Sequence, residues 1–305
     1  MQIFMTGATG YIGGSVAVKL LRLGHDITGL VRSESGAANL RALGIHPVRG
    51  SLDDRDVVSQ AAHDADAVID AADANHEGVV AAIVDALRGS GKAFLHTSGS
   101  GIVATRADGH LVEAVYDEFT PVVPTLPRMQ QRAAIDQVVL DAARDGVRAM
   151  VIRPSMIYGG GHGPREESFQ VPVLIEQAKA QGIGLHIGPG ENRWANVHID
   201  DVVDLYVRAL DRGAAGALYY AENGEEALKT IAEAISRMLG FDGKTREWLP
   251  EEAEAAQGVK AHTSFGSNSR VRARRSRDEL GWQPTGPSLL HDIESGWYRK
   301  VHRGG

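Results

Sequence analysis

Short apolar runs alternate with longer amphipathic segments through the first half of the chain. The short runs are typical of buried strands, and the longer segments carry apolar residues at helical spacing. The pattern predicts strands at residues 2–5, 26–31, 46–49, 67–71, 93–97 and 148–152, and helices at residues 11–23, 37–43, 55–63, 77–88 and 129–144. Such alternation builds βαβ units, so we expect an α/β fold around a parallel sheet.

The second half departs from this simple alternation. The glycine-rich segment 159–164 is the clearest break in composition, and it predicts a flexible crossing into a second lobe. Strand-like runs return at residues 197–199 and 218–221, on either side of a helix predicted at residues 202–210. We therefore expect the chain to return to the first domain before it continues into a smaller, mostly helical C-terminal lobe.

The composition is that of an ordinary globular protein, and it excludes several classes of function. The 305 residues are 43% hydrophobic and 23% charged, with a formal net charge of −7. This balance argues against nucleic-acid binding, because nucleic-acid-binding domains are usually basic. The absence of cysteine excludes disulfides and thiolate sites, and the twelve histidines form no close cluster, so we expect no metal. The chain shows no secretory leader and no long apolar stretch, which predicts a cytoplasmic protein that does not bind membranes.

A glycine-rich turn lies where the first strand ends and the first helix begins. Residues 6–13 read TGATGYIG, which places Gly7, Gly10 and Gly13 at GxxGxxG spacing. Gly7 permits the tight turn, Gly10 lets a pyrophosphate approach the backbone, and Gly13 allows the helix to pack against the strand. The free N–H groups at the helix start then face an anion. With a strand before it and βαβ units after it, the turn predicts a dinucleotide-binding domain of the Rossmann, doubly wound type.

The end of the second strand bears on the choice of dinucleotide. An acidic residue there usually holds the ribose 2′-hydroxyl of NAD, whereas an arginine suits the 2′-phosphate of NADP. Here the strand is followed by Arg32 and Ser33, and the nearest acid is Glu34. A guanidinium beside a small hydroxyl matches a phosphate, so the sequence favours NADP(H) over NAD(H).

Four more segments follow the turn in a recognisable order. They are GSLDD at residues 50–54, VIRPSMIYG at residues 151–159, NVHIDDV at residues 196–202 and LGWQP at residues 280–284. Together with the turn, they resemble the TGxxGxxG, GDLxD, RPxxxYG, VHVDD and LGWxP segments of the extended short-chain dehydrogenase/reductase superfamily, in its NAD-dependent epimerase/dehydratase branch. Ser51 replaces the Asp of the second segment. The likeness covers nearly the whole chain.

The resemblance implies a domain division and a set of contacts. Residues 1–154, with a return at about residues 196–221, would form the dinucleotide-binding domain, and residues 155–195 and 222–305 the substrate-binding lobe. Besides the turn glycines, Arg32 and Ser33, the implied cofactor contacts are Thr9, Tyr11, Ile12, Ser51, Leu52, Ala71, Ala72, Thr97, Pro154 and Ser155. Met156 and Trp194 are the expected substrate contacts.

One departure from the family pattern concerns the chemistry itself. Extended members normally use a Ser or Thr after the fifth strand and a Tyr-x-x-x-Lys, in which the Tyr exchanges a proton and the Lys holds the nicotinamide ribose. Here Arg128 and Arg132 occupy the Tyr and Lys positions, and Gly99 occupies the hydroxyl position. Arg132 retains donors for ribose hydroxyls, but Arg128 is no general acid near neutral pH. The chain is therefore an atypical member by this resemblance.

Several residues are candidates to replace the missing tyrosine. Arg128 would act as an electrophile that stabilises a developing oxyanion, Ser98 or Ser100 would supply the hydroxyl, and Tyr158 or His162 would exchange the proton. Packing or solvated roles remain open for each.

The leading interpretation is an NADP(H)-dependent oxidoreductase acting on a carbonyl or activated double bond of a small organic molecule. The alternatives are a non-redox enzyme of epimerase/dehydratase type that keeps its cofactor bound, and a non-catalytic dinucleotide sensor. A homodimer is also possible, since residues 79–87 and 135–143 carry apolar faces. Packing within one chain explains those faces equally well.

Overall fold

A computed structural model of the chain describes residues 1–303, in which strands and helices alternate. In chain order the strands are β1 (Gln2–Thr6), β2 (Asp26–Val31), β3 (His46–Arg49), β4 (Ala67–Asp70), β5 (Ala93–Thr97), β6 (Thr105–Arg106), β7 (Arg148–Pro154), β8 (Met156–Tyr158), β9 (Gly184–His186), β10 (Arg193–His198), β11 (Ala217–Ala221), β12 (Glu225–Ala227), β13 (Thr245–Glu247) and β14 (Ser267–Asn268). The α-helices are α1 (Tyr11–Arg22), α2 (Glu34–Ala42), α3 (Arg55–Asp64), α4 (Glu77–Leu87), α5 (Pro127–Asp141), α6 (Gln170–Gln181), α7 (Ile199–Arg212), α8 (Leu228–Leu239), α9 (Pro250–Gln257), α10 (Arg274–Leu280), α11 (Leu289–Glu294) and α12 (Trp297–Arg303). Within the part of the chain described, no helix is both long and apolar enough to span a bilayer.

Seven strands form one central sheet in the order β11-β7-β5-β4-β1-β2-β3. Every neighbouring pair in this sheet is parallel. The strand order reverses between β1 and β4, which is the switch point where doubly wound sheets open a crevice at the carboxyl ends of their strands. The doubly wound parallel sheet predicted from the sequence is therefore confirmed.

Helices cover both faces of this sheet. One face packs against α1, α2 and α7 in a core that includes Val16, Leu40 and Leu205. The other packs against α3, α4 and α5, and its core takes in the apolar side chains of the two segments considered as a dimer surface, including Ile83 and Val139. The apolar side chains of these two segments are therefore largely buried within one chain.

The second lobe has its own apolar core, which α6, α8 and α9 share with α11 and α12. It is less purely helical than the sequence predicts, because short sheets of β12-β10-β8 and of β13-β9 support it. The predicted return to the first domain is made by β11, which pairs with β7 in the central sheet. The other expected strand of the return, β10, instead pairs with β8 and β12 outside that sheet.

The glycine-rich segment 159–164 is tied to α1. Tyr11 Oη donates to the Gly159 carbonyl at 2.8 Å, and the His162 amide donates to Ser15 Oγ at 3.0 Å. A Cβ on Gly163 would lie only 2.6 Å from Gly14 Cα, so two glycines let the segment and the helix touch. These contacts contradict the flexible crossing that the composition predicts.

Candidate functional site

A cavity of about 340 Å³ opens at the switch point of the central sheet. The first domain contributes residues from the turn after β1, from the end of β4 and from the end of β7, and the second lobe contributes a continuous segment. The lining residues are Gly10, Tyr11, Ile12, Ala71, Ala72, Ser155, Ile157, Arg165, Glu167, Ser168, Phe169 and Gln170.

The three glycines of the turn differ in what a side chain at each would meet. Gly7 has a φ of +71°, and a Cβ there would lie 2.4 Å from the Ala71 carbonyl oxygen. A Cβ on Gly13 would lie 2.3 Å from the Gly7 carbonyl oxygen, so the close approach of helix and turn requires glycine. A Cβ on Gly10 would meet only the Gly7 carbonyl oxygen, at 3.1 Å. The space beside Gly10 is therefore open toward the cavity, where no side chain caps the start of α1.

The end of β2 gathers small polar groups at the start of α2. Ser33 Oγ accepts a hydrogen bond from the Gly36 amide at 3.1 Å and lies 3.1 Å from Ser35 Oγ. A Cβ on Gly36 would lie 3.9 Å from Thr9 Cγ2, which brings this point close to the glycine-rich turn. Arg32 is exposed and has no hydrogen-bond partner among the described side chains.

The nearest acid to this point is already paired. Glu34 accepts from Arg41 at 2.7 Å and from Arg49 at 3.1 Å. The Arg41 hydrogen bond lowers the pKa of the Glu34 carboxyl from its ordinary value. The carboxylate of Glu34 is therefore engaged with two arginines.

Arg132 lies where the ends of β5 and β7 meet. A Cβ on Gly99 would lie 3.6 Å from Arg132 Nη1 and 3.9 Å from the Pro154 carbonyl oxygen. Arg132 Nε donates to Asn75 Oδ1 at 3.2 Å, so the loop after β4 orients the guanidinium. Burial lowers the pKa of Arg132 from its high ordinary value, while the charge of Asp136 opposes that change.

Arg128 is exposed one helical turn earlier on α5. Its charge helps to lower the pKa of Asp73, where partial burial acts in the opposite direction and the Asn75 hydrogen bonds act with it. Arg128 is not among the residues that line the cavity.

The other candidate catalytic side chains are held away from the cavity. Ser98 Oγ donates to Asp136 at 2.8 Å, Ser100 Oγ lies 2.9 Å from Ser269 Oγ, and Tyr158 Oη donates to the Pro287 carbonyl at 2.6 Å. Burial raises the pKa of Tyr158 well above its ordinary value. His162 faces Asp200.

Among the predicted cofactor contacts, Ala71, Ala72 and Ser155 line the cavity with the turn residues. Ser155 is only 7% exposed, and its Oγ has no hydrogen-bond partner among the described residues. Ser51 and Leu52 follow β3 at the same edge of the sheet, whereas Thr97 Oγ1 is engaged with Tyr206 Oη at 2.7 Å. An unpartnered buried hydroxyl is costly, so Ser155 is suited to receive a polar group of a ligand.

The two predicted substrate contacts are core residues of the second lobe. Met156 is buried, and Trp194 is buried with Nε1 donating to the Ser267 carbonyl at 2.9 Å. The lobe instead presents Arg165, Phe169 and Gln170 to the cavity. The sequence carries no distinctive signal for these three residues, because their role depends on how the segment after residue 164 folds back over the turn.

A chain of polar side chains runs through the middle of the sheet behind the cavity. Asp70 accepts from Thr6 Oγ1, and it lies 2.8 Å from His96 Nδ1. His96 Nε2 lies 3.7 Å from Asp136 Oδ1, and Asp136 Oδ2 accepts from Arg153 at 2.8 Å. Burial would lower the pKa of Arg153, but the charge of Asp136 raises it above its ordinary value. Asp70, the last residue of β4, thus lies between Thr6 and His96 in this buried chain.

Comparisons with known proteins agree with this geometry. The model of the NAD dependent epimerase/dehydratase family matches residues 3–220. An oxidase of an Acremonium species is 31% identical, over 96% of this chain and 95% of its own length. The 2-alkyl-3-oxoalkanoate reductase of Stenotrophomonas maltophilia is 28% identical, over 81% of this chain and 77% of its own.

The fold is also found among solved structures. UDP-glucose 4-epimerase from Thermotoga maritima, crystallised with UDP-glucose, has a TM-score of 0.78 to this chain. The match covers 99% of both chains at 20% sequence identity.

Proposed function

This chain belongs to the NAD-dependent epimerase/dehydratase family, and from that premise we propose that it is an NADP(H)-preferring oxidoreductase acting on a carbonyl group or activated double bond of a small organic molecule. The observation that carries the proposal is the cavity at the switch point, where the open side of Gly10 and the unpartnered hydroxyl of Ser155 face the same space. The reductase and oxidase among its relatives support redox chemistry.

The residues present fit a nicotinamide dinucleotide. The uncapped start of α1 suits the pyrophosphate, and Ala71, Ala72 and Ser155 suit the nicotinamide half. When bound, the dinucleotide donates or accepts the hydride. Arg132, oriented by Asn75, would donate hydrogen bonds to the ribose hydroxyls in the place of the usual lysine.

The chain's own contribution to the reaction would be electrostatic. A guanidinium does not release a proton near neutral pH, so neither Arg128 nor Arg132 replaces the tyrosine as an acid. Arg128 is exposed beside the loop after β4, from where its charge would stabilise negative charge developing on a substrate oxygen. The proton for that oxygen would then come from solvent at the mouth of the cleft.

The preference for NADP(H) rests on the surroundings of Ser33. Arg32 has no hydrogen-bond partner among the side chains that the structure describes, Ser33 and Ser35 present hydroxyls at the start of α2, and Glu34 is paired with two arginines. A 2′-phosphate would meet an arginine, hydroxyls and a helix N-terminus there, each of which favours an anion.

The test combines cofactor titration with a turnover screen. NADPH and NADH are titrated against the parent protein and Arg32→Ala, and aldehydes, ketones and enones are screened by nicotinamide absorbance. We expect Arg32→Ala to weaken NADPH about tenfold, because one charge-assisted contact to phosphate is lost, and to leave NADH unchanged.

Arg22→Ala is the matched control, since Arg22 is exposed at the far end of α1. Equal affinities of the parent for NADPH and NADH would contradict the preference for NADP(H). Binding without turnover of any compound would contradict the oxidoreductase.

A further inference from the structure

One basic side chain in the wall of the cavity has no part in the site described so far. Arg165 lines the same space as Gly10, Tyr11 and Ile12, but it belongs to the segment that leads into the second lobe. Among the described residues that line the cavity, it is the only cation. It therefore approaches the phosphate-binding turn from the other half of the molecule.

Arg165 is free to bind an anion. Its only hydrogen bond among the described residues runs from Nε to the Glu167 carbonyl, at 3.1 Å, and it forms no ion pair with a described carboxylate. The side chain is exposed. The Nη groups are thus available, while the Nε bond restricts the direction of the side chain.

The backbone that carries Arg165 is fixed relative to the turn. The Gly161 amide donates to the Glu166 carbonyl at 2.8 Å, which closes a compact loop around Arg165. That loop is tied to α1 by Tyr11 and Ser15 and lies against Gly14. Because α1 begins at the phosphate-binding turn, the same helix positions both the turn and the arginine.

Several acidic side chains lie near the turn, so a nearby cation would favour the binding of an anion there. Glu167 lines the cavity, and Asp292 and Asp200 are near enough to reinforce the rise that burial causes in the pKa of Tyr11. The first turn of α1 contains no basic side chain. Helix N–H groups alone would face the two charges of a pyrophosphate in an acidic neighbourhood.

We propose that Arg165 clamps the pyrophosphate of the dinucleotide from the second lobe, opposite the backbone N–H groups of the glycine-rich turn. The proposal rests on the proposed function for the identity of the ligand. Cofactor binding would then join the two halves of the molecule through one arginine, whose planar fork suits two phosphate oxygens.

The experiment compares ligands that do and do not contain the pyrophosphate. NADPH, 2′-phospho-ADP-ribose and 2′,5′-ADP are titrated by calorimetry against the parent, Arg165→Ala, Arg165→Lys and the surface control Arg144→Ala. The first two ligands contain the pyrophosphate, whereas 2′,5′-ADP has only separate phosphate groups. We expect Arg165→Ala to weaken the first two about tenfold and 2′,5′-ADP much less, because a charge-assisted contact is lost only where the pyrophosphate is present.

Arg165→Lys should recover part of the loss, and Arg144→Ala should bind like the parent. Unchanged affinity of Arg165→Ala for 2′-phospho-ADP-ribose would overturn the proposal that Arg165 binds the pyrophosphate. A rise in the KM for substrate with no change in cofactor affinity would also overturn it, because the arginine would then bind a substrate carboxylate. The proposed function can fail separately from this proposal. If the parent binds all three ligands but turns over no compound, the proposed oxidoreductase activity is wrong. The binding comparison between the parent and Arg165→Ala still tests whether Arg165 contacts the pyrophosphate. Circular dichroism confirms that each variant is folded.

Discussion

The two arginines on α5 differ in their surroundings although they are four residues apart. Arg132 is partly buried and held by Asn75 next to Gly99, whereas Arg128 is exposed near Asp73. Under the proposed function the first would hold the cofactor, and the second would act on the substrate through its charge from outside the cavity lining.

Kinetics separates these roles. Arg132→Ala should weaken NADPH binding and lower kcat/KM, each about tenfold, because one ribose anchor is lost. Arg128→Ala should lower kcat about a hundredfold with little change in cofactor affinity, as for a group that stabilises charge only in the transition state. Steady-state kinetics and cofactor titration measure both effects. Parent-like behaviour of both variants would remove α5 from the site.

The role of a single residue can be predicted from the sequence where it depends on the local backbone conformation. Gly7 and Gly13 permit the tight turn and the close packing of the helix that their spacing predicts. Prediction fails where distant segments come together: Asn75 bonds to Arg132, and Arg165 lines the same cavity as the turn, only because the chain folds back. Trp194, an expected substrate contact, is buried in the second lobe, where its Nε1 donates to the Ser267 carbonyl.

At the scale of elements, the turn and α1 form one unit that holds a ligand and supports both halves of the site. Gly10→Val should abolish dinucleotide binding in a folded protein, because the side chain would fill the open space beside the backbone. Gly7→Ala should instead lower the free energy of unfolding by about 2 kcal/mol or more, since both its φ of +71° and the Ala71 carbonyl exclude a Cβ. Calorimetric titration and urea unfolding of both variants give the comparison. Retained affinity in Gly10→Val would show that the pyrophosphate lies elsewhere.

The predicted and observed boundaries of helices and strands differ where a capping residue or a pairing partner sets the boundary. Helix α2 begins at Glu34, three residues before its predicted start, because Ser33 caps it, and α5 begins two residues early with Pro127 at its first position. The strands of the central sheet match their predictions closely, and all except the partly exposed edge strand β3 are largely buried. The short strands of the second lobe, such as β12 and β13, lack such a run and are defined by their pairing partners.

At the scale of the whole molecule, the buried chain from Asp70 to Arg153 links β4, β5, α5 and β7. Asp136 is its central member, because its carboxylate accepts from Arg153 and Ser98 and is 1% exposed. Removing one partner of a buried ion pair leaves the other charge without compensation.

Asp136→Ala should therefore lower the free energy of unfolding by about 3 kcal/mol. Asp141→Ala, on the same helix, should cost less than about 0.5 kcal/mol, because Asp141 pairs with an Arg144 side chain that is 83% exposed. Urea unfolding measures both. The double variant Asp136→Ala/Arg153→Met should be more stable than Asp136→Ala alone. Equal losses of unfolding free energy in Asp136→Ala and Asp141→Ala would show that the buried pair contributes no more than the surface pair.

The position of β11 at the edge of the central sheet has a consequence for how the protein is made. The ribosome delivers β7 before residues 155–195, and β11 only after them, so a nascent sheet ends at β7 until the inserted part of the second lobe has been synthesised. During that interval the outer edge of β7, whose backbone N–H and C=O groups pair with β11 in the complete chain, has no neighbouring strand. Open edges of this kind recruit other chains. We therefore expect residues 1–154 alone to expose this edge, and the synthesis of β11, which ends at Ala221, to cover it.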